Sequence, residues 1–197
     1  MTKSHLYIDI ETVKDPTIHD GLFSIAEEKN PQQINFLPTY NQIIAISIGW
    51  LKDNAFTTRS LKGTEPEMIT ELFKYVDKFT LTGFNILWFD LPMIVLRAMH
   101  HNISIPPILR TFWVKPWDMT DRFLDLMQVM KITGTRYYSL SDMCLLLGIP
   151  TPKADMDGSQ IQQLYNDGRI KEIEQYCCKD VEASYLLHQK LILLNLL

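Results

Sequence analysis

Two carboxylates, Asp9 and Glu11, stand two residues apart in the otherwise apolar run Leu6-Tyr7-Ile8-Asp9-Ile10-Glu11-Thr12. In a β-strand residues i and i+2 share a face, so the two acids project together, flanked by Tyr7 and Thr12, while Ile8 and Ile10 anchor the other face. Adjacent anions repel, and burial sharpens the repulsion unless a positive charge lies between them. A divalent metal is the economical partner.

Two further patches hold acids in apolar surroundings. In Asn85-Ile86-Leu87-Trp88-Phe89-Asp90 a strand ends and a helix begins, which puts Asp90 at a sheet rim facing the first strand if the two are neighbours. In Tyr176-Cys177-Cys178-Lys179-Asp180 the i, i+4 spacing puts Tyr176 and Asp180 on one helical face. Four carboxylates and a phenol can then converge. Ligands that are all oxygen suit Mg²⁺ or Mn²⁺, and a pair of such ions is the usual device for in-line displacement at phosphorus.

The elements that must position these groups are legible in outline. Residues 14 to 40, rich in Pro, Asn and Gln, read as an irregular insertion with a short helix over Leu22–Lys29. A buried strand over 43–51, a turn at Asp53-Asn54 and a polar return strand over 55–61 complete an antiparallel meander whose last strand is a sheet edge. Thr64, Pro66 and the acids at 65 and 67 predict a helix to about Phe79. A strand over 80–84 and a helix from Asp90 to about His100 then imply a parallel crossover, with Asp90 also placed to cap its helix.

Pro106, Pro107 and Pro116 predict a non-helical stretch over 102–118. Beyond it come a last strand over 122–126, a short helix over 127–131, a helix over 140–147 opened by Ser139 and closed by Gly148, a helix over 157–166, and a long helix from 170 to 196. The outcome is one α/β domain over residues 1–197, with a mixed sheet of about five strands and helices on both faces.

Composition narrows the class. The chain has 197 residues, 46% hydrophobic and 21% charged, and no segment is long and apolar enough to span a bilayer or act as a signal peptide, so a cytoplasmic location is the default. A net charge of −4 argues against nucleic-acid binding through bulk positive charge, though not through bound metal ions. Cys144, Cys177 and Cys178 form no metal-binding spacing and read as reduced core thiols.

Asp9-Ile10-Glu11, Asn85-x-x-x-Phe89-Asp90 and Tyr176-x-x-x-Asp180, in that order, resemble the three motifs of DEDD-type 3′-5′ exonucleases of the ribonuclease H-like fold. The histidine subgroup carries its base five residues before the last Asp, here Gln175, whereas the tyrosine subgroup, DEDDy, has it four before, at Tyr176. Gly83-Phe84-Asn85-Ile86-Leu87-Trp88-Phe89-Asp90-Leu91-Pro92 is most similar to the proofreading domain of family B DNA polymerases. Ser139-Leu140-Ser141-Asp142 and Asp157-Gly158-Ser159-Gln160 are similar to the stand-alone exonucleases related to that domain.

The resemblance implies hydrolysis of terminal phosphodiesters with two divalent ions, Mg²⁺ or Mn²⁺, releasing nucleoside monophosphates from a 3′ end. It implies Asp9, Glu11, Asp90 and Asp180 as metal ligands, Asp9 bridging both ions, and Tyr176 orienting the attacking water. Thr12, Asn85 and Phe89 are the expected contacts to the terminal nucleotide, although Phe89 reads equally as core and Asn85 equally as a strand-end residue. Asp125 reads as an acid of minor weight behind the ligands.

Single-stranded DNA is the favoured polymer, in a DNA-repair setting. Two alternatives stay open, an exoribonuclease acting on RNA 3′ ends and a catalytically silent nucleic-acid-binding module of the same fold. Trp113 and Trp117, with Arg110, Lys115 and Arg122, form either a stacking wall for single strands or a cover for the core. Leu186, Leu187, Leu191 and Leu194 read as core, with the apolar carboxyl end a candidate homodimer surface; a polymerase or repair partner is the other expectation.

Overall fold

A computed structural model describes residues 4–29, 34, 37–110, 122–130, 138–151 and 158–197. Five strands form one sheet: β1 (His5–Lys14), β2 (Asn41–Lys52), β3 (Ala55–Ser60), β4 (Thr80–Gly83) and β5 (Phe123–Asp125). Their order is β3-β2-β1-β4-β5, so the strand bearing Asp9 and Glu11 is central. β1 runs antiparallel to β2 and parallel to β4, β3 closes the meander as an edge, and β5 lies parallel to β4.

Alternation along β1 decides which face meets what. Leu6, Ile8 and Ile10 pack into the main core with β2 and with α2 (Glu65–Phe73) and α3 (Asp90–His100). The opposite face looks toward α7 (Ile161–Asn166) and the long α8 (Ile170–Leu193), where Val13 and Ala45 pack with Ile161, Leu164, Ile173, Tyr176 and Cys177. On that face the Tyr7 hydroxyl meets His188 Nδ1 at 2.6 Å. The β1–β2 register shifts between Glu11 and Thr12, an irregularity of the kind that re-aims side chains beside functional sites.

Among the described residues the remaining helices are α1 (Asp20–Lys29), α4 (Pro107–Arg110), α5 (Leu126–Val129) and α6 (Leu140–Leu147). The last of these begins at Ser139, whose hydroxyl accepts from Asp142 N, and stops at Gly148 in the left-handed conformation (φ 68°).

Several boundaries differ from the sequence expectation. α2 ends at Phe73, not near Phe79, because the backbone tightens into i to i−3 turns (Lys74 to Glu71, Tyr75 to Leu72, Lys78 to Tyr75) that return the chain to β4. A short helix, α4, sits inside the stretch expected to be non-helical, since proline is tolerated in a first helical turn. A 3₁₀ turn at Gly158–Gln160 leads into α7, and α8 stops at Leu193. Leu187 and Leu191 are fully buried as expected, but Leu194 is 47% exposed, like Ile192 and Leu193 before it, because the end of α8 runs beyond the core. Trp113, Lys115, Trp117 and Asp157 lie outside the described residues. No described helix is long and apolar enough to cross a membrane.

An ion cluster ties the insertion to the core. Buried Arg97 of α3 meets Glu65 Oε2 at 2.6 Å and Asp15 Oδ2 at 3.0 Å, and Glu65 also accepts from Ile43 N and contacts His101 Nε2 at 2.7 Å.

Candidate active site

Asp9 and Glu11 project from the central strand toward α8. Below them lies Cys177, whose Sγ approaches the Asp9 backbone oxygen at 3.3 Å. One carboxylate oxygen each from Asp9 and Glu11 and the Cys177 sulfur all lie within 4.8 Å of one another. Asp9 Oδ2 is buried and has no hydrogen-bond partner. A buried carboxylate oxygen left in this state is costly unless a cation completes it.

Asp90 reaches the same region from the other side of β1. It is the first residue of α3, and the cap position belongs to Phe89, so the expected capping role of Asp90 is not what the backbone shows. Its Oδ1 accepts from the N–H of Ile10 at 3.1 Å, between the two strand acids. Asp180 sits on α8 one turn beyond Tyr176, at 9% exposure.

The acids act on one another's charge. Burial drives the Asp9 carboxyl far above the usual range, with the negative charges of Asp180, Asp90 and Glu11 adding to the effect in that order. Glu11 is raised by burial and by the same charges of Asp180 and Asp90. Asp90 is pushed up to about 8, chiefly by burial, with Asp125 and Asp180 contributing. Three carboxylates raised by burial and by the charge of Asp180 form an electrostatic well for cations. The Cys177 thiol is raised by burial and by Asp9 and Glu11, which keeps it protonated, and hard divalent ions prefer the oxygens. Its proximity to the acids was invisible in the chain because it depends on how α8 rests on β1.

Tyr176 is 5% exposed, its ring packed among Val13, Ala45, Ile161, Leu164 and Ile173. Thr12 and Phe89 line a cleft of about 550 Å³ that opens from Glu11 and is bounded farther out by Lys14, Phe23 and Gln162. Phe89 also packs against the main core, which accords with the core reading of it. Asn85 is not among the residues lining that cleft; its backbone is left-handed (φ 67°) and its N–H donates to Asp125 Oδ1 at 2.9 Å. Asp125 is the acid that sequence reasoning undervalued, since three backbone N–H groups converge on it.

Residues 34–195 match the model of a family described as predicted 3′-5′ exonucleases related to the exonuclease domain of PolB. That span holds Asp90, Tyr176 and Asp180, and Asp9 and Glu11 precede it. Over 122 residues the chain is 27% identical to an uncharacterised protein of Methanocaldococcus jannaschii, covering 57% of this chain and 64% of that relative. The fold is similar to that of the family B DNA polymerase of Pyrobaculum calidifontis, with a TM-score of 0.66 at 15% identity, over 96% of this chain and 24% of the polymerase. The chain thus spans less than two thirds of either relative's length, and the structural likeness establishes the ribonuclease H-like fold.

Proposed function

We propose that this chain, which belongs to the family of predicted 3′-5′ exonucleases related to the exonuclease domain of PolB, removes nucleoside monophosphates from the 3′ end of single-stranded DNA. The observation that supports the reading is the buried pair Asp9 and Glu11, with the charges of Asp90 and Asp180 acting on both and an orphaned Asp9 oxygen that calls for positive charge. These four residues would hold a pair of divalent ions, Mg²⁺ or Mn²⁺, which when bound supply charge neutralisation at the scissile phosphate and acidify water.

The remaining work falls to the chain itself. The cleft beside Glu11 receives the terminal nucleotide, with Thr12 and Phe89 against its sugar and base. Tyr176, held by the packing of its ring, orients the attacking water through its hydroxyl and acts as a positioner. Attack in line with the leaving 3′ oxygen breaks the P–O bond and leaves a 5′ monophosphate.

Incubation of 3′-labelled single-stranded DNA, duplex DNA and RNA with Mg²⁺ or Mn²⁺ tests this. Wild type is expected to release mononucleotides only with metal, and fastest from single-stranded DNA, while Asp9→Ala is inert. Release unchanged in Asp9→Ala, or none from any polymer, rejects the enzyme reading; faster release from RNA favours the exoribonuclease.

A further inference from the structure

The turn between β4 and α3 carries Asp90, yet few of its own bonds hold it. After Gly83 the chain must leave the sheet, reverse and start a helix within six residues, and Asn85 takes a left-handed backbone to do so. Trp88 and Phe89 N–H groups donate to the Asn85 oxygen, and a Cβ on Gly83 would lie 2.4 Å from Ile86, so the turn folds tightly back on the strand end. The N–H groups of Asn85 and Leu87 both point away from these bonds and need an acceptor from elsewhere.

Asp125 supplies it. This residue ends β5, pairs across the sheet with Gly83, and is 3% exposed. Its Oδ1 accepts from Asn85 N at 2.9 Å and from Met127 N at 3.0 Å, and its Oδ2 accepts from Leu87 N at 3.1 Å. The bond to Met127 is an ordinary cap of α5 and would suffice for that four-residue helix. The two bonds to the 85–87 turn exceed what capping needs. Only an ionised carboxylate presents acceptors alone on both arms, so three convergent N–H groups select Asp over the isosteric Asn.

We propose that Asp125 is a positioning residue for cation binding: by clamping the N–H groups of Asn85 and Leu87 it fixes the start of α3, and thereby holds the Asp90 carboxylate against Ile10 and facing Asp9. Loss of a group that orients a metal ligand costs about 10–100-fold in metal affinity. The proposal rests on the exonuclease reading for its purpose and on the hydrogen bonds for its substance.

The test uses the full chain and Mn²⁺ as probe. Asp125→Asn keeps the shape and the Met127 cap but turns an NH₂ group toward one arm of the turn. It is expected to bind Mn²⁺ about 10–100-fold more weakly by calorimetry, with kcat on single-stranded DNA recovering as Mn²⁺ is raised; a merely structural lesion gives no such recovery. Mn²⁺ affinity equal to wild type overturns the proposal. Should the variant fail to fold, amide hydrogen exchange in wild type decides: slow exchange at Asn85 and Leu87 supports the clamp, and exchange as fast as in exposed turns rejects it. An inactive wild type counts against the exonuclease reading, whereas the exchange measurement decides the clamp regardless of activity.

Discussion

The N–H of Ile10 donates to Asp90 Oδ1 at 3.1 Å, so a carboxylate from the start of α3 is fastened to the central strand between Asp9 and Glu11. That bond ties two motifs about 80 residues apart into one anionic centre, and the consequences of the crowding can be measured.

Replacing one member of the group relieves repulsion. Asp9→Asn is expected to raise metal-free stability by on the order of 1 kcal/mol, about 2–4 °C in Tm for a chain of this size. Mn²⁺ should stabilise wild type by about 2.7 kcal/mol at a hundredfold excess over Kd and leave Asp9→Asn nearly unmoved. Thermal melts with EDTA and with Mn²⁺ check both, and a metal-free Tm lowered by the substitution contradicts the crowding argument.

Tyr176→Phe separates packing from chemistry. The ring keeps its place among Val13, Ala45 and Ile173, so stability should stay within about 0.5 kcal/mol. Loss of the hydroxyl should lower kcat by about 10² or more with little change in KM. Steady-state kinetics beside a denaturation curve tell the two apart.

Arg97→Ala leaves Glu65 and Asp15 buried without their cation. A broken buried ion pair costs about 3–5 kcal/mol, a large share of the stability of any domain. Urea unfolding should show the midpoint falling by that equivalent, and a loss below about 1 kcal/mol would mean the cluster behaves as a surface pair.

His188, packed against Tyr7 and His5, has its pKa lowered to about 4, mainly by burial and further by His5. A depressed histidine gives stability that is complete above its unfolded value of about 6.5 and is lost as pH falls toward 4. Wild type is expected to lose up to about 3 kcal/mol across that window from this group. His188→Gln should start less stable and show a flatter decline between pH 6.5 and 4, measured by Tm against pH.

Much of the site was legible in one dimension. Alternation in Leu6–Thr12 put Asp9 and Glu11 on one face, and the i, i+4 spacing put Tyr176 and Asp180 on another, because side-chain direction within a single strand or helix follows from backbone geometry alone. The meander, the crossover and the starts of α2 and α6 followed from turn and capping residues for the same local reason.

What tertiary structure decided is everything that depends on which surfaces meet. The place of Cys177 beneath Asp9 is set by the seating of α8 on β1, and the Arg97, Glu65 and Asp15 cluster joins three segments that are distant in the chain. Asp125 looked like one more acid near a strand end because nothing in its neighbours announces the turn it holds; its partners Asn85 and Leu87 lie some 40 residues upstream, and only the parallel pairing of β4 with β5 brings their N–H groups to it. Local geometry aims a side chain, but its partner is chosen by packing between elements, and that choice turned a pair of acids on one strand into a candidate metal centre.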